Sequence, residues 1–291
     1  MRVFEDNSMI NPTKSPTQDL YTNLSGYRFI HLEYLPLLQA DLHAMLSETG
    51  VLGTILLAEE GINIALAGTP DQITAARACF ESDPRFTSLW LKESVSEQIP
   101  FSKLKVRVRH EIIAFDGPEA KDQQLHRPEA PALSPDTVAQ WIESGKDFTL
   151  LDTRNTYEVE SGTFTTAKHL NIAHFRDFQK TVEKAVEEGT LDPAQPIVTF
   201  CTGGIRCEKA APWMLEQGFK EVYQIEGGVL NYFERTGGAH WKGDCFVFDD
   251  RVEVDKSLNP TGATWCTHCQ LTIALNEQCS CQDSLTAMEM V

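Results

Sequence analysis

The chain has 291 residues, enough for about two domains at roughly 150 residues each. With 42% hydrophobic, 23% charged and 9% aromatic residues, its composition excludes disordered, collagen-like and fibrous classes. Lys and Arg number 25 against 42 Asp and Glu, a net charge of −17; such a field opposes a non-specific grip on nucleic acid, so a polyanionic partner has to meet a local basic patch.

Residues 1–25 are polar, with Asn11, Pro12, Ser15 and Pro16 and no apolar signal core. No run in the chain approaches the ~20 apolar residues of a membrane helix. A polar tail on a soluble, unexported, cytoplasmic chain is expected. Tyr27 to Tyr34 alternates and stops before Pro36, as a strand does, and Leu38, Leu42, Met45 and Leu46 then recur at helical spacing up to Gly50. Val51 to Ala58 predicts an apolar strand, Glu59-Glu60-Gly61 a tight turn and Ile62 to Ala67 the hairpin partner. Thr69 is placed to cap a helix from Pro70 to Ser82, with Ile73, Ala76 and Phe80 on one face, and Phe86 to Leu91 reads as another strand. The order βαββαβ predicts a ferredoxin-like domain over residues 26–115.

Phe101 to His110 adds a strand on which Lys103, Lys105, Arg107 and Arg109 alternate with Leu104, Val106 and Val108. That spacing puts four cations on one face about 6.6 Å apart, able to track an RNA backbone while the other face packs inward. An edge strand whose charges deter aggregation is the competing reading.

Pro118, Pro128 and Pro131 make residues 116–134 a Pro-rich linker. Ser134 as cap, Pro135 in the first turn, Val138, Trp141 and Ile142 on one face and Gly145 at the end open a second domain, residues 135–240. Its predicted strands, Phe148 to Leu151, His169 to Ile172, Ile197 to Phe200 and Val222 to Ile225, alternate with helices such as Phe178 to Glu187 and Lys209 to Gln217. The alternation predicts an α/β fold with a parallel sheet.

The strand Ile197 to Phe200 runs into Cys201-Thr202-Gly203-Gly204-Ile205-Arg206, and a helix follows. The carboxyl end of such a strand is where open α/β sheets bind ligands, and the loop turns several N–H groups toward one point. That field, with Arg206 nearby, favours thiolate over thiol and lowers a cysteine from ~8.5 toward the ~3.5–7.5 of reactive cysteines. Cys201 is the candidate nucleophile. Cys207 is either a resolving thiol or a buried helix-start residue. His169 and His174 flank a strand and fit packing better than acid–base work.

Cys201, Gly204 and Arg206 match the active loop C-x-x-G-x-R of the rhodanese family, which the chain resembles. Leu150-Leu151-Asp152-Thr153-Arg154, then Glu158, Gly162, Ala167 and Asn171, and the late pair Gly227-Gly228, also fit. Thr163-Phe164 departs from the usual His-Ile, a packing change. Four residues, Thr202 to Ile205, separate Cys201 from Arg206; related cysteine phosphatases place five there, so the resemblance favours a persulfide-bearing loop over a phosphate-binding one.

Phe200 to Ala210, the hairpin Leu57-Ala58-Glu59-Glu60-Gly61-Ile62-Asn63 and Cys245-Phe246-Val247-Phe248-Asp249-Asp250-Arg251-Val252 together resemble the tRNA uridine hydroxylase family. The resemblance implies a ferredoxin-like domain joined to a rhodanese domain, tRNA as substrate, 5-hydroxylation of the wobble uridine and molecular oxygen as co-substrate. No haem, flavin or iron motif is recognisable. Two alternatives stand beside it: a sulfurtransferase passing sulfane sulfur from Cys201 to a thiol acceptor, and a binding module whose loop recognises an anion.

The remaining residues, 241–291, read as a cysteine-rich tail. Cys266-x-x-Cys269 and Cys279-x-Cys281, with His268 as a spare, offer soft ligands for zinc. The tail resembles a shortened form of the one in longer family members, and a flexible thiol-bearing segment is expected in preference to a metal site.

Overall fold

A computed structural model describes residues 20–117, 123–266, 268–269, 271–279 and 281. Most of the predicted polar tail lies outside them.

The first domain contains β1 (Tyr21–Phe29), α1 (Leu35–Thr49), β2 (Leu52–Ala58), β3 (Gly61–Gly68), α2 (Pro70–Glu81), β4 (Leu91–Ser96) and β5 (Leu104–Val108). Its sheet has the order β4-β1-β3-β2-β5, with β5 parallel to β2 at one edge. This is the expected ferredoxin-like arrangement with one added strand. The Thr69 hydroxyl accepts from the Gln72 backbone amide and the Gln72 side-chain oxygen accepts from the Thr69 backbone amide, a complete capping box. Leu24, Leu42, Ile55, Ile64, Phe80 and Val106 form one core between the helices and one face of the sheet.

Two predicted strands are displaced. The first runs from Tyr21 to Phe29 instead of Tyr27 to Tyr34, so the polar tail ends earlier than residue 25. The last of the βαββαβ pattern is Leu91–Ser96 instead of Phe86 to Leu91; Phe86 sits in a turn and packs edge-on against Phe80 at 6.3 Å. Both errors have one cause. The second face of this sheet meets the second domain through polar groups: Lys92 pairs with Glu234 at 2.5 Å and the Arg251 guanidinium donates to the Ser94 hydroxyl at 2.8 Å, while on the same face Asn23 of β1 donates to the Ser96 hydroxyl of β4 at 3.0 Å. Strands with one such face lack the apolar alternation that marks a half-buried strand.

The second domain contains α3 (Gln123–His126), β6 (Ala132–Leu133), α4 (Pro135–Glu143), β7 (Thr149–Asp152), α5 (Thr156–Ser161), β8 (Gly162–Phe164), β9 (Lys168–His169), α6 (Phe178–Glu187), β10 (Ile197–Phe200), α7 (Cys207–Glu216), β11 (Val222–Ile225) and α8 (Gly228–Thr236). The main sheet is parallel, ordered β6-β11-β10-β7-β9. One core, with Phe178, Val182 and Trp213, lies on one side of it, and a second, with Val138, Val229, Tyr232 and Phe233, on the other. The predicted strand His169 to Ile172 shortens to Lys168–His169, and Asn171 turns the chain with φ 54.

Further strands β12 (Trp241–Gly243), β13 (Cys245–Phe246), β14 (Glu253–Val254), β15 (Thr264–Trp265) and β16 (Thr272–Ile273) follow. Residues 241–254 are therefore not tail: β12 pairs with β8, and Trp241, Cys245, Val247 and Val254 are buried in the second core. Of the linker, residues 118–122 lie outside the described residues. Of the rest, Ala132 and Leu133 pair with β11, while Gln124 and Arg127 dock on α7. Pro212 inside that helix has no N–H for the Glu208 carbonyl, and the Gln124 side-chain amide donates to that carbonyl instead.

Candidate active site

The central strand β10, flanked by β11 and β7, ends at Phe200 and leads directly into Cys201. Gly204, with φ 97, turns its amide back so that it donates to the Cys201 sulfur at 3.1 Å. The start of α8 closes on the same loop: the amides of Val229 and Leu230 donate to the carbonyls of Cys201 and Thr202 at 2.9 and 3.1 Å. A Cβ on Gly228 would stand 2.4 Å from the Cys201 carbonyl oxygen. Gly228, the second of the late glycine pair, is thus required for close approach of two backbones, and Gly227 leaves room for the Trp90 and Asn231 side chains.

Arg206 does not reach out as an open anion receptor. Its guanidinium forks onto Glu158 at 2.5 and 2.7 Å, with both side chains buried. Glu158 also accepts from the Asn155 amide at 3.0 Å, capping α5, and from the Thr202 hydroxyl at 3.4 Å. Glu158 therefore fixes both ends of the active loop. Burial alone would push the Cys201 thiol up, but a hydrogen bond from the Cys207 thiol, the Arg206 charge and the Arg206 backbone amide outweigh it and bring it down to about 6. Cys207 is held well above its ordinary value, by burial and then by its bond to Cys201 and the charge there. The pair is a thiolate at 201 facing a thiol at 207, a juxtaposition that sequence spacing alone left open.

Asp152 and Arg154, noted for their spacing, form a fully buried pair at 2.7 Å. Arg154 donates onward to the carbonyls of Glu158 and Gly162, so the motif holds α5 and β8 behind the loop. Thr163 donates to Asp152 at 2.8 Å, and Phe164 fills space among Phe200, Tyr232 and Trp241. His169 bonds the Arg154 carbonyl at 2.8 Å, and His174 is exposed; neither faces Cys201.

The first domain completes the site with residues that the sequence did not single out. Tyr27 lies against Gly204, where a Cβ would come within 2.8 Å of the phenol oxygen, and Trp90 lies against Gly227. Tyr27 donates to Glu208 at 3.4 Å. Burial, then the charges of Glu208 and Cys201, raise the tyrosine well above its usual value, and burial raises Glu208. The phenol beside the thiolate therefore keeps its proton. Cys201 itself is 0% exposed, so a substrate must displace its cover, and Tyr27 and Trp90 flank that cover. The signal for them was present: Asn23, Ser25, Tyr27 and Phe29 share one face of β1, opposite Leu24.

Of the four predicted cations, Lys105 and Arg107 lie within β5, and Lys103 and Arg109 immediately flank it. The strand is shorter than predicted. None of the four forms an ion pair among the described residues, and Lys103, Arg107 and Arg109 are exposed. Register places Arg107, Leu56, Asn63 and Tyr27 in one row across the sheet. Three strand spacings of about 4.8 Å put the basic edge ~14 Å from Tyr27, on the same face. The tail cysteines gather in a separate cluster.

Two family models match the chain: "UPF0176 acylphosphatase like domain" over residues 21–112 and "Rhodanese-like domain" over residues 134–235. Among curated relatives, a tRNA uridine(34) hydroxylase of Bordetella petrii is 45% identical over 246 residues, covering 83% of this chain and 95% of the relative. Those of Cupriavidus taiwanensis and Thiobacillus denitrificans are 42% and 43% identical, covering 88% and 85% of this chain and 90% and 98% of the relatives. With both domains and the Cys201 loop in place, the chain belongs to the tRNA uridine(34) hydroxylase family.

Proposed function

We propose that this protein hydroxylates uridine 34 of tRNA at C5 in the cytoplasm, with Cys201 as the reacting thiol and molecular oxygen as co-substrate, one oxygen atom entering the ring and the other leaving as water with two electrons and two protons from an external reductant. The observation that carries the reading is identity above 40% along nearly the full length of relatives bearing that name. The site suits it. A thiolate is a nucleophile fit for the electron-poor C6 of a uracil ring, and addition there leaves C5 electron-rich. Tyr27, its phenol kept protonated by burial, donates to Glu208 beside it. Trp90, half exposed next to Gly227, offers a face on which an unstacked base rests. Lys103, Lys105, Arg107 and Arg109 take the backbone from the same side of the sheet.

The test is nucleoside mass spectrometry of tRNA from a strain lacking its own enzymes for this modification. Introducing this gene is expected to restore 5-hydroxyuridine and its derivatives. Unchanged nucleosides, together with thiocyanate formation by the purified protein from thiosulfate and cyanide, would replace the reading with a sulfurtransferase that hands sulfane sulfur to a thiol acceptor.

A further inference from the structure

The described part of the C-terminal segment is a hairpin, β15 and β16, with strands of two residues each. Its own apolar cluster is small: Phe246, Val252 and Ala263 are buried, with Tyr157 and Trp265 packed against them. So few apolar residues do not order a segment of this length, and small units of this kind need a staple. The sulfurs supply one. Cys266 and Cys269 lie at the turn after β15, Cys279 and Cys281 follow β16, and their four sulfur atoms all lie within 4.8 Å of one another. The nearest separations are 3.2 Å for Cys269 to Cys279, 3.2 Å for Cys279 to Cys281 and 3.6 Å for Cys266 to Cys281.

Those separations are far longer than a disulfide bond of ~2.05 Å. They approach the edges of a tetrahedron built on zinc–sulfur bonds of about 2.3 Å, which are ~3.8 Å long. Clusters of several irons distribute their thiolates over different metal atoms and hold them farther apart. Four soft sulfurs around one point select zinc over oxygen-seeking cations. Cys266 and Cys279 are 5% and 7% exposed. His268 is exposed and stands outside the set.

We propose that Cys266, Cys269, Cys279 and Cys281 bind one tetrahedral zinc ion that fastens the C-terminal hairpin to the wall behind the active loop. Trp265 packs on Tyr157 and Phe246, each at 5.5 Å. The Phe246 carbonyl accepts from the Thr202 hydroxyl at 3.4 Å, and the Phe248 ring lies 5.6 Å from the Arg206 guanidinium carbon. The ion thus supports the Cys201 loop through one layer of aromatic packing. Binding displaces the thiol protons and stabilises the hairpin at the same time.

The full chain, purified with reductant and without chelator and freed of any tag, is the material for the test. Elemental analysis is expected to find one zinc per chain, retained in Cys79→Ser and lost in Cys266→Ser/Cys279→Ser. Far-ultraviolet circular dichroism of the double variant should keep the α/β signature of both domains. Should that variant fail to fold, the wild type decides alone: titration with a mercurial should release one zinc as the tail thiols react, and cobalt added to the metal-free chain should give the absorption of a tetrahedral tetrathiolate. Iron in place of zinc would overturn the proposal. So would a wild type without metal whose tail thiols are all titratable or paired in disulfides, or zinc retained by the folded double variant.

Discussion

At Cys201, burial and local polarity act in opposite directions. An isolated buried thiol stays neutral, yet the Cys207 thiol, the Arg206 charge and the Arg206 backbone amide bring this one down to about 6. The wild-type minus Cys201→Ser difference in thiolate ultraviolet absorbance should therefore titrate at about pH 6; a midpoint near 9 would show that the cradle does not act. The linkage has a definite sign. Because the folded value lies below the unfolded one, the thiolate's contribution to stability is complete above the ordinary thiol range and disappears as pH falls through about 6. Cys201, Gly204 and Arg206 were legible from spacing, since a loop this tight tolerates few sequences. The role of Glu158 was not. Locally it completes a helix cap behind Asn155, and only the fold brings it to Arg206 and Thr202.

Helix α6 was legible residue for residue, and caps at Thr69 and Ser134 placed two more, because the caps and apolar stripes act locally. Strands β1 and β4 were not, because their second faces carry Asn23, Lys92 and Ser94 toward another domain, and a periodicity argument sees only a broken alternation. The same logic gives β5 its meaning. It is an edge strand, as the aggregation-deterring reading also requires, but Arg107 shares a row with Tyr27 at the thiolate's cover. Replacing Lys105 and Arg107 by Ala should weaken tRNA binding and reduce the salt-dependence slope by about 2, roughly one per lost phosphate contact. Stability should change by less than ~0.5 kcal/mol per site. Filter binding across a salt series checks this, and an unaltered slope would return β5 to a purely protective role.

At the scale of the whole molecule, a fully buried cation ties the two domains together. Lys209, on the helix that follows the active loop, is 0% exposed; it pairs with Glu60 at 2.8 Å and Glu111 at 2.7 Å and lies 3.8 Å from Asp116. Glu60 belongs to the hairpin that carried the family resemblance, so this motif serves docking: it seats the ferredoxin-like sheet over the rhodanese loop. Lys209→Met leaves buried carboxylates without their partner and should cost ~3–5 kcal/mol in denaturant unfolding. A loss below 1 kcal/mol, within the range of surface pairs, would show that the domains are held by other contacts.

The central claim is that Cys201 is the thiol at which uridine 34 of tRNA is hydroxylated. The most direct measurement compares tRNA nucleosides, by mass spectrometry, from the modification-deficient strain carrying either the wild type or a Cys201→Ser chain shown to be folded and equally abundant. The account predicts 5-hydroxyuridine with the wild type and none with Cys201→Ser. Modification at wild-type level in the Cys201→Ser strain would contradict it.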